Sequence, residues 1–314
     1  MANHTLLLLL RNSGLTFLCV FILFNEAFAQ PLDGNDQVDS TDFYRQPWIG
    51  NNQYLFDYRD WLEGSKSKTS TIAPYGVDQQ VYIPVKAWVY RSNTGLGGLS
   101  YADVEWYLRK LNEMFTTYNS TGIYFYLVCE PYYINDEEIR NGAGPGKRGW
   151  VYSNYRDPYV LNVHFVNDLP DLAGEAVWPW GSSNMGTFVE TGESRSTQHA
   201  NTLAHEAGHC LGLLHTHHRT GTTFNKDAEK CKQEFVSRPA LNSFLWCGNN
   251  KKKCEEYGDG LCDTEADPGL GLVRLGDQVN NGIYAGVGTD KDSPGQTWDP
   301  DVDLIMSYSE WDLR

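Results

Sequence analysis

Five residues within the stretch HEAGHCLGLLH have the types and the spacing that metal chemistry requires. His205 and His209 are four residues apart, so on a helix they lie on one face and can both bind a single Zn²⁺ ion. Glu206 lies beside the first of them, where it can hold a metal-bound water and accept its proton. Gly212 can adopt a positive φ that ends the helix and turns the chain, so that His215 supplies a third ligand. Three protein ligands leave one position for water, which is typical of catalytic zinc.

These ligands need a helix to hold them, and the pattern predicts one at about 197–211, after a region rich in predicted strands. Ser100 and Asp103 suit a capping box at the start of another helix, LSYADVEWYLRKLNEMFTTYN, which has one apolar face. The segment MGTFVE, at 185–190, is predicted to be an edge strand that can pair with an extended peptide. His164 is predicted to be a half-buried, hydrogen-bonded histidine rather than a ligand. The other predicted strands are VYIPVKAWVYR, IYFYLVCEPYYI and VLNVHFV.

The N-terminus has the features of a secretory signal. Arg11 precedes an apolar stretch at 15–24, and Ala27-Phe28-Ala29 forms a cleavage site of the A-x-A type, so residues 1–29 are predicted to be removed. Residues 30–75 are polar and include the linker-like segment GSKSKTST, which predicts a flexible leader or a pro-segment. This leader contains no cysteine, which excludes a cysteine-based latency switch within it.

The net charge of the chain limits the classes of partner that it is expected to bind. A net charge of −15 argues against nucleic acid and against anionic membranes. No segment outside the signal approaches 18 consecutive apolar residues, so no membrane association is expected once the signal is cleaved. The expected partner is a protein or peptide substrate, and the oligomeric state is left open.

An even number of cysteines remains after signal cleavage, which in a secreted chain predicts three disulfides among fifteen possible connectivities. The short spacing from Cys254 to Cys262 favours a local bridge. Cys231 and Cys247 could then close the preceding loop, and Cys129 would be left to pair with Cys210, tethering a strand to the zinc helix. These six cysteines are Cys129, Cys210, Cys231, Cys247, Cys254 and Cys262.

Two further clusters allow alternative interpretations. The loop GDGLCDTEADP offers Asp259, Asp263, Thr264 and Asp267, closely spaced oxygen donors of the kind that Ca²⁺ requires, but a solvated acidic loop has the same composition. His217 and the following His218 could be alternate ligands, or they could be helix-exit residues that donate hydrogen bonds behind the ligands.

Taken with the zinc motif, this loop and the segment LIMSYS give the chain a family resemblance. Over about 81–308 it resembles the pappalysin family, the ulilysin-like branch of the metzincin zinc metalloproteases. The resemblance implies an α+β fold, in which a twisted mixed five-stranded sheet carries a backing helix and an active-site helix above a smaller irregular C-terminal lobe. The catalytic domain would then span 76–314, with an upper lobe to about 212 and a lower lobe at 213–314.

The resemblance also implies roles for individual residues. His205, His209 and His215 would bind Zn²⁺, with Glu206 as general base and acid, and the activity would be that of an endopeptidase. Structural calcium would lie near Asp259, Asp263 and Thr264. Met306 would form the methionine turn beneath the metal, and the hydroxyl of Tyr308 could help to stabilise an oxyanion.

Two features depart from the family pattern and keep a second hypothesis open. Glu265 stands where proline usually follows the Asp-Thr pair, and the chain ends at Arg314 where metzincins carry a further helix, so the lower lobe is expected to be short. The first hypothesis is a secreted zinc endopeptidase. The alternative is a catalytically inactive secreted pseudoprotease that acts as a calcium-binding matrix or interaction protein.

Overall fold

The computed structural model describes residues 38–40, 80–119, 121–170, 172–179, 185–218, 234–236, 254, 257–270, 279–280, 283–284, 291–292 and 294–308. The predicted signal peptide, most of the leader, Cys231 and Cys247 lie outside the described residues. Within the described part of the chain, none of the helices combines the length and the apolar character needed to cross a membrane.

Among the described residues, most of the secondary structure lies before residue 211. Its strands are β1 (Val38–Ser40), β2 (Val81–Arg91), β3 (Ile123–Leu127), β4 (Tyr132–Asn135), β5 (Leu161–Val166), β6 (Gly174–Val177), β7 (Gly186–Glu190), β8 (Val279–Asn280) and β9 (Ile283–Tyr284). Its helices are α1 (Tyr101–Asn112), which continues as a π-helical segment (Glu113–Tyr118), α2 (Glu137–Arg140), α3 (Pro145–Asn154) and α4 (Thr197–Cys210).

The predicted mixed sheet is confirmed, but among the described residues it has seven strands rather than the expected five, with the order β1-β6-β7-β5-β2-β3 and with β4 paired to β2. The strands β2, β3, β5 and β7 pair in parallel, whereas β6 runs antiparallel to β7 and β1 runs antiparallel to β6. The segment predicted as a single strand after α1 is split: β3 pairs with the first half of β2 and β4 with its second half. Pro131 stands in the break between them, where a residue without a backbone N–H interrupts a ladder.

The prediction that 185–190 forms an edge strand is wrong. In the structure β7 lies between β5 and β6 and is hydrogen-bonded on both sides. Its burial fits this inner place, since four of its five residues are buried. The strand beyond it is β6, whose four residues are too few to show a period in the sequence.

One face of the sheet packs against α1 and α4. The predicted capping box starts α1, because the Ser100 hydroxyl accepts from the Asp103 N–H at 3.3 Å while the Asp103 carboxylate accepts from the Ser100 N–H at 3.1 Å. The apolar side of α1 and one side of α4 then meet in a buried cluster, which includes Leu111 and Leu203. Each such side chain contributes about 1.5–3 kcal/mol when fully buried, so this cluster holds the metal-motif helix rigidly against the sheet.

The other face of the sheet is aromatic and surrounds His164. This side chain is completely buried, not half-buried as predicted, and its Nδ1 lies 2.9 Å from the Tyr90 hydroxyl. Its ring stacks against Phe188, with centroids 4.8 Å apart. Burial lowers the pKa of His164 to about 3, so the imidazole is neutral at physiological pH.

Candidate active site

Helix α4 has a capped N-terminus and ends in a turn that reverses the chain. Its first turn is capped by Ser196, whose hydroxyl accepts from the His199 N–H at 3.4 Å. At its end, Gly212 has φ +91°, a left-handed conformation that L side chains rarely adopt. The Leu213 N–H then donates back to the Gly208 carbonyl at 2.9 Å, which closes the turn. The chain is thereby redirected so that His215 faces the side of α4 that carries His205 and His209.

Three buried imidazoles converge on one point. The Nε2 atom of His205 lies 3.0 Å from that of His215, and the Nε2 atom of His209 lies 3.1 Å and 2.9 Å from these two. Two nitrogens bound to one tetrahedral Zn²⁺ at about 2.0–2.1 Å are about 3.3 Å apart, so the observed spacing is within a few tenths of an ångström of a zinc site. Among the described residues, this is the only group of His, Cys, Asp and Glu side chains that converges closely enough for one ion.

Backbone carbonyls hold two of these rings in one tautomer. The His205 Nδ1 lies 2.7 Å from the Ile305 carbonyl, and the His209 Nδ1 lies 2.8 Å from the Leu213 carbonyl. A carbonyl only accepts, so both Nδ1 atoms carry the hydrogen and both Nε2 atoms present bare lone pairs. Lone pairs crowded at about 3 Å repel one another unless a cation lies between them. The donor set therefore fits a metal ion.

Burial also keeps the imidazoles in the form that binds metal. It lowers the pKa of His205 to about 4, although the bond to Ile305 opposes the shift. Burial, followed by the neighbouring imidazoles, lowers the pKa values of His209 and His215 well below the ordinary value. A neutral imidazole is the ligand form, so protons do not compete strongly for this site near neutral pH.

Glu206 lies on the side of α4 that faces β6, and it is completely buried. The close approach of the strand depends on Gly174. A Cβ on that residue would lie 2.7 Å from Glu206 Cγ and 2.8 Å from its Oε1, distances that real Cβ contacts do not show. The predicted general base thus occupies space that only glycine leaves free. No motif in the sequence marks Gly174 as a functional position.

A second glycine, Gly208, allows a close contact between α4 and Met306. A Cβ on Gly208 would lie 2.5 Å from the sulfur of Met306, so the methionine packs directly against the helix backbone. Met306 is buried, and its carbonyl accepts from the Thr216 N–H at 3.1 Å. Glycine inside a helix costs about 1 kcal/mol of stability relative to alanine. The glycine within the helical motif HEAGH was therefore the feature of the sequence that could have indicated a close contact at this position.

Aromatic rings enclose the three imidazoles. The buried Trp178, which directly follows β6, packs against His209 with centroids 4.6 Å apart. Tyr308 is also buried, with its ring 4.6 Å from that of His215. His217 lies flat against His215 on the far side, with centroids 5.1 Å apart and an interplanar angle of 5°. It is therefore stacked behind the third imidazole rather than pointing into the cluster.

The acidic loop residues do not gather around one point. Asp259 is buried and its Oδ1 accepts from the Leu261 N–H at 2.9 Å. Asp263 is exposed and lines a cavity of about 330 Å³ together with Thr264 and Asp299. Asp259 does not line that cavity and instead lines a second one, again with Thr264. Calcium binding by Asp259, Asp263 and Thr264 therefore stays a prediction without support from the described geometry.

The disulfide between Cys254 and Cys262 is confirmed, with Cα atoms 5.1 Å apart. The predicted bridge between Cys129 and Cys210 is wrong. Cys210 carries a free thiol that donates to the Gly186 carbonyl at 3.3 Å, and burial raises its pKa to about 12. Gly186 begins β7 and Cys129 follows β3, so β5 and β2 lie between the two cysteines. Three strand spacings of about 4.8 Å exceed the roughly 7 Å that a disulfide can span.

A cavity of about 410 Å³ is lined by Met306 and by the turn at Gly212. Its walls are mostly apolar and include Phe115, Leu211 and Leu304. The cavity is not lined by Glu206 or by the three converging histidines. It is therefore separate from the site at which the imidazoles converge.

The sequence matches no known family profile and no curated protein. Among solved structures it is similar to a promirolysin mutant from Tannerella forsythia, with 15% identity over 86% of each chain and a TM-score of 0.53. It is also similar to mature mirolysin from the same organism in complex with a cleaved peptide (17% identity, 74% of this chain and 85% of that chain, TM-score 0.47). Mirolysin in complex with compound 9 gives 16% identity, 74% and 85% coverage and a TM-score of 0.46. The match to promirolysin shows a shared fold, and the mixed sheet with its two packed helices agrees with the fold class expected from the sequence.

Proposed function

We propose that this protein is a secreted zinc-dependent endopeptidase whose metal is held by His205, His209 and His215. The observation that carries the proposal is the convergence of three buried Nε2 atoms within 3.1 Å, two of them with their lone pairs fixed toward the centre by backbone carbonyls. Three ligands from the protein leave a position for water, which is the arrangement of a hydrolytic rather than a structural site.

The residues around the metal have separable tasks. Bound zinc supplies a Lewis acid for the scissile carbonyl and makes a water acidic near neutral pH. The carboxylate of Glu206 would accept a proton from the attacking water and deliver it to the leaving amine. The hydroxyl of Tyr308, whose ring centroid lies 5.9 Å from that of His205, would stabilise the developing oxyanion.

The edge of β6 is the proposed binding surface for the substrate backbone. This strand passes beside Glu206 at Gly174 and leads into Trp178, which packs on His209. An extended peptide hydrogen-bonded to this edge would therefore lie alongside the metal centre. In the structure this edge carries β1, in the antiparallel register Val38 to Val177.

The position of β1 supports a role for the leader as a pro-segment. Its three residues pair with Glu175, Ala176 and Val177, so they occupy the edge that we assign to substrate. We propose that residues 30–75 hold the enzyme latent by this pairing and that cleavage between β1 and β2 frees the edge. The latency would then depend on backbone hydrogen bonds, in agreement with the absence of cysteine from the leader.

Replacing Glu206 by alanine tests the proposed function. The variant is expected to bind one zinc per chain, because the three histidines are intact, and to lose at least 100-fold in the rate of peptide hydrolysis. Glu105→Ala, an exposed change on α1, is the matched control and should cleave like the wild type. The assay is digestion of casein and a fluorogenic peptide library after leader removal, with chelator-treated samples and metal analysis. Equal rates for Glu206→Ala and wild type would refute the mechanism, and stoichiometric zinc without any cleavage by the wild type would favour the non-catalytic alternative.

A further inference from the structure

One carboxylate of the acidic loop faces away from solvent. Asp267 is 2% exposed, unlike its neighbours Asp263 and Glu265, which are exposed. Its Oδ1 accepts from the backbone N–H groups of Gly269 at 2.7 Å and Leu270 at 2.9 Å. These two bonds fix the carboxylate relative to its own loop and leave Oδ2 directed toward the rest of the lower lobe.

The second oxygen joins two segments that are far apart in sequence. The hydroxyl of Thr216 donates to Oδ2 at 2.5 Å, and the hydroxyl of Ser307 donates to the same atom at 3.0 Å. Thr216 directly follows the third imidazole, His215, and Ser307 directly follows Met306. Asp267 therefore connects the turn that carries the third ligand with the turn beneath the metal.

Both of the connected turns position histidines that converge at the metal site. The turn at 304–307 contains Ile305, whose carbonyl holds the His205 ring. The other turn carries His215 and then His217, which stacks on it and whose Nδ1 lies 4.0 Å from the Asp267 Oδ2. The relative placement of His205 and His215 thus depends on how these turns are joined. The Met306 carbonyl also links them directly, because it lies 3.1 Å from the Thr216 N–H and 3.5 Å from the Thr216 hydroxyl.

Four donors occupy the four lone-pair directions that a carboxylate offers. A cation would have to displace one of them, so Asp267 is unsuited to the calcium role that its loop suggests. We propose that Asp267 is a positioning residue, a buried clamp that joins the third-ligand turn to the methionine turn and sets the geometry of the metal site. This inference rests on the metal centre of the proposed function.

The test compares Asp267→Asn with Glu265→Gln, which makes the same charge change at an exposed position of the same loop. Asparagine keeps the size but replaces one acceptor oxygen with an amide donor, which disrupts the two hydroxyl bonds on Oδ2. We expect zinc to dissociate into a colorimetric chelator about tenfold faster from Asp267→Asn than from wild type. The visible absorption of the Co²⁺-loaded protein should also change, because it reports the ligand geometry directly. Glu265→Gln should match the wild type in both measurements.

Thermal unfolding of the metal-free proteins separates positioning from general stability. A lower melting temperature for Asp267→Asn with unchanged zinc dissociation and an unchanged Co²⁺ spectrum would overturn the inference. If Asp267→Asn does not fold, Thr216→Val and Ser307→Ala each remove one of the two hydroxyl groups that donate to Asp267. Each should speed zinc dissociation severalfold, and the double variant should be less than additive because the two hydroxyl groups share one acceptor. Unchanged dissociation in both single variants would overturn the clamp, and a wild type that binds no zinc would overturn the metal centre together with it.

Discussion

Replacing Gly174 by alanine adds one methyl group at the closest contact between β6 and α4. The new Cβ would lie 2.6 Å from Thr202 Cγ2, 2.7 Å from Glu206 Cγ and 2.8 Å from Glu206 Oε1. Ordinary contacts begin at 3.4 Å, so Glu206 would have to move by about 0.7 Å relative to the strand. The φ of Gly174 is not in the left-handed region, so the expected effect is steric and not a matter of backbone strain.

The displaced group is the proposed general base, and a misplacement near 1 Å costs about 100-fold in rate. We therefore expect kcat to fall about 10- to 100-fold, or about 1.4–2.7 kcal/mol in activation free energy. The free energy of unfolding should fall by about 1–3 kcal/mol, as is usual when a methyl group is forced into a packed site. Bound zinc should remain stoichiometric, because the atoms nearest to the added methyl group belong to Thr202 and Glu206 and not to the three histidines.

Two companion variants separate the contributions. Removing the Thr202 methyl by adding Thr202→Ala to Gly174→Ala should restore part of the stability but not kcat, because the contacts with Glu206 remain. Gly186→Ala on the neighbouring strand is the control, since its Cβ would meet Tyr152 at 3.1 Å and none of its three nearest atoms belongs to Glu206. The measurements are kcat on a fluorogenic peptide, urea unfolding and zinc content. If Gly174→Ala keeps kcat within twofold of wild type, the reasoning about the buried general base is refuted.

Other consequences of the structure are open to direct measurement. The pKa of His164 is about 3 in the folded protein and near 6.5 in the unfolded chain. The neutral side chain therefore contributes stability to the fold above pH 6.5, and this stability is lost as the pH falls from 6.5 toward 3. His164→Phe should therefore reduce the slope of unfolding free energy against pH by about 1.4 kcal/mol per unit in that window, and an unchanged slope would contradict the assignment. A synthetic peptide spanning residues 34–44, which contains β1, should inhibit the leader-free enzyme competitively, whereas a scrambled peptide should not. Noncompetitive inhibition, or equal inhibition by the scrambled peptide, would contradict pairing at the β6 edge.

Local patterns in the sequence were sufficient where a short stretch of chain decides the structure. The capping box at Ser100 and Asp103 and the long strand β2 formed where they were predicted, because their signals are periodic or lie within one turn. The cysteines separated by eight positions also paired as predicted, since few other partners are so near in the chain. The longer bridge to Cys210 failed because it depended on how many strands lie between two elements, which no spacing in the sequence reports.

By itself, the sequence determined which side chains of this protein could share a metal ion, since helical periodicity puts His205 and His209 on one face and a glycine after the helix permits a turn back. Tertiary structure alone decided what surrounds those side chains. The order of the strands placed β6 rather than β7 beside Glu206, and Gly174 let it approach. Asp267 became a buried link between two distant turns while its loop neighbours stayed in solvent. The physical reason is that hydrogen bonds and close contacts between residues 32 to 100 positions apart depend on packing, whereas periodicity and turn chemistry act over a few residues.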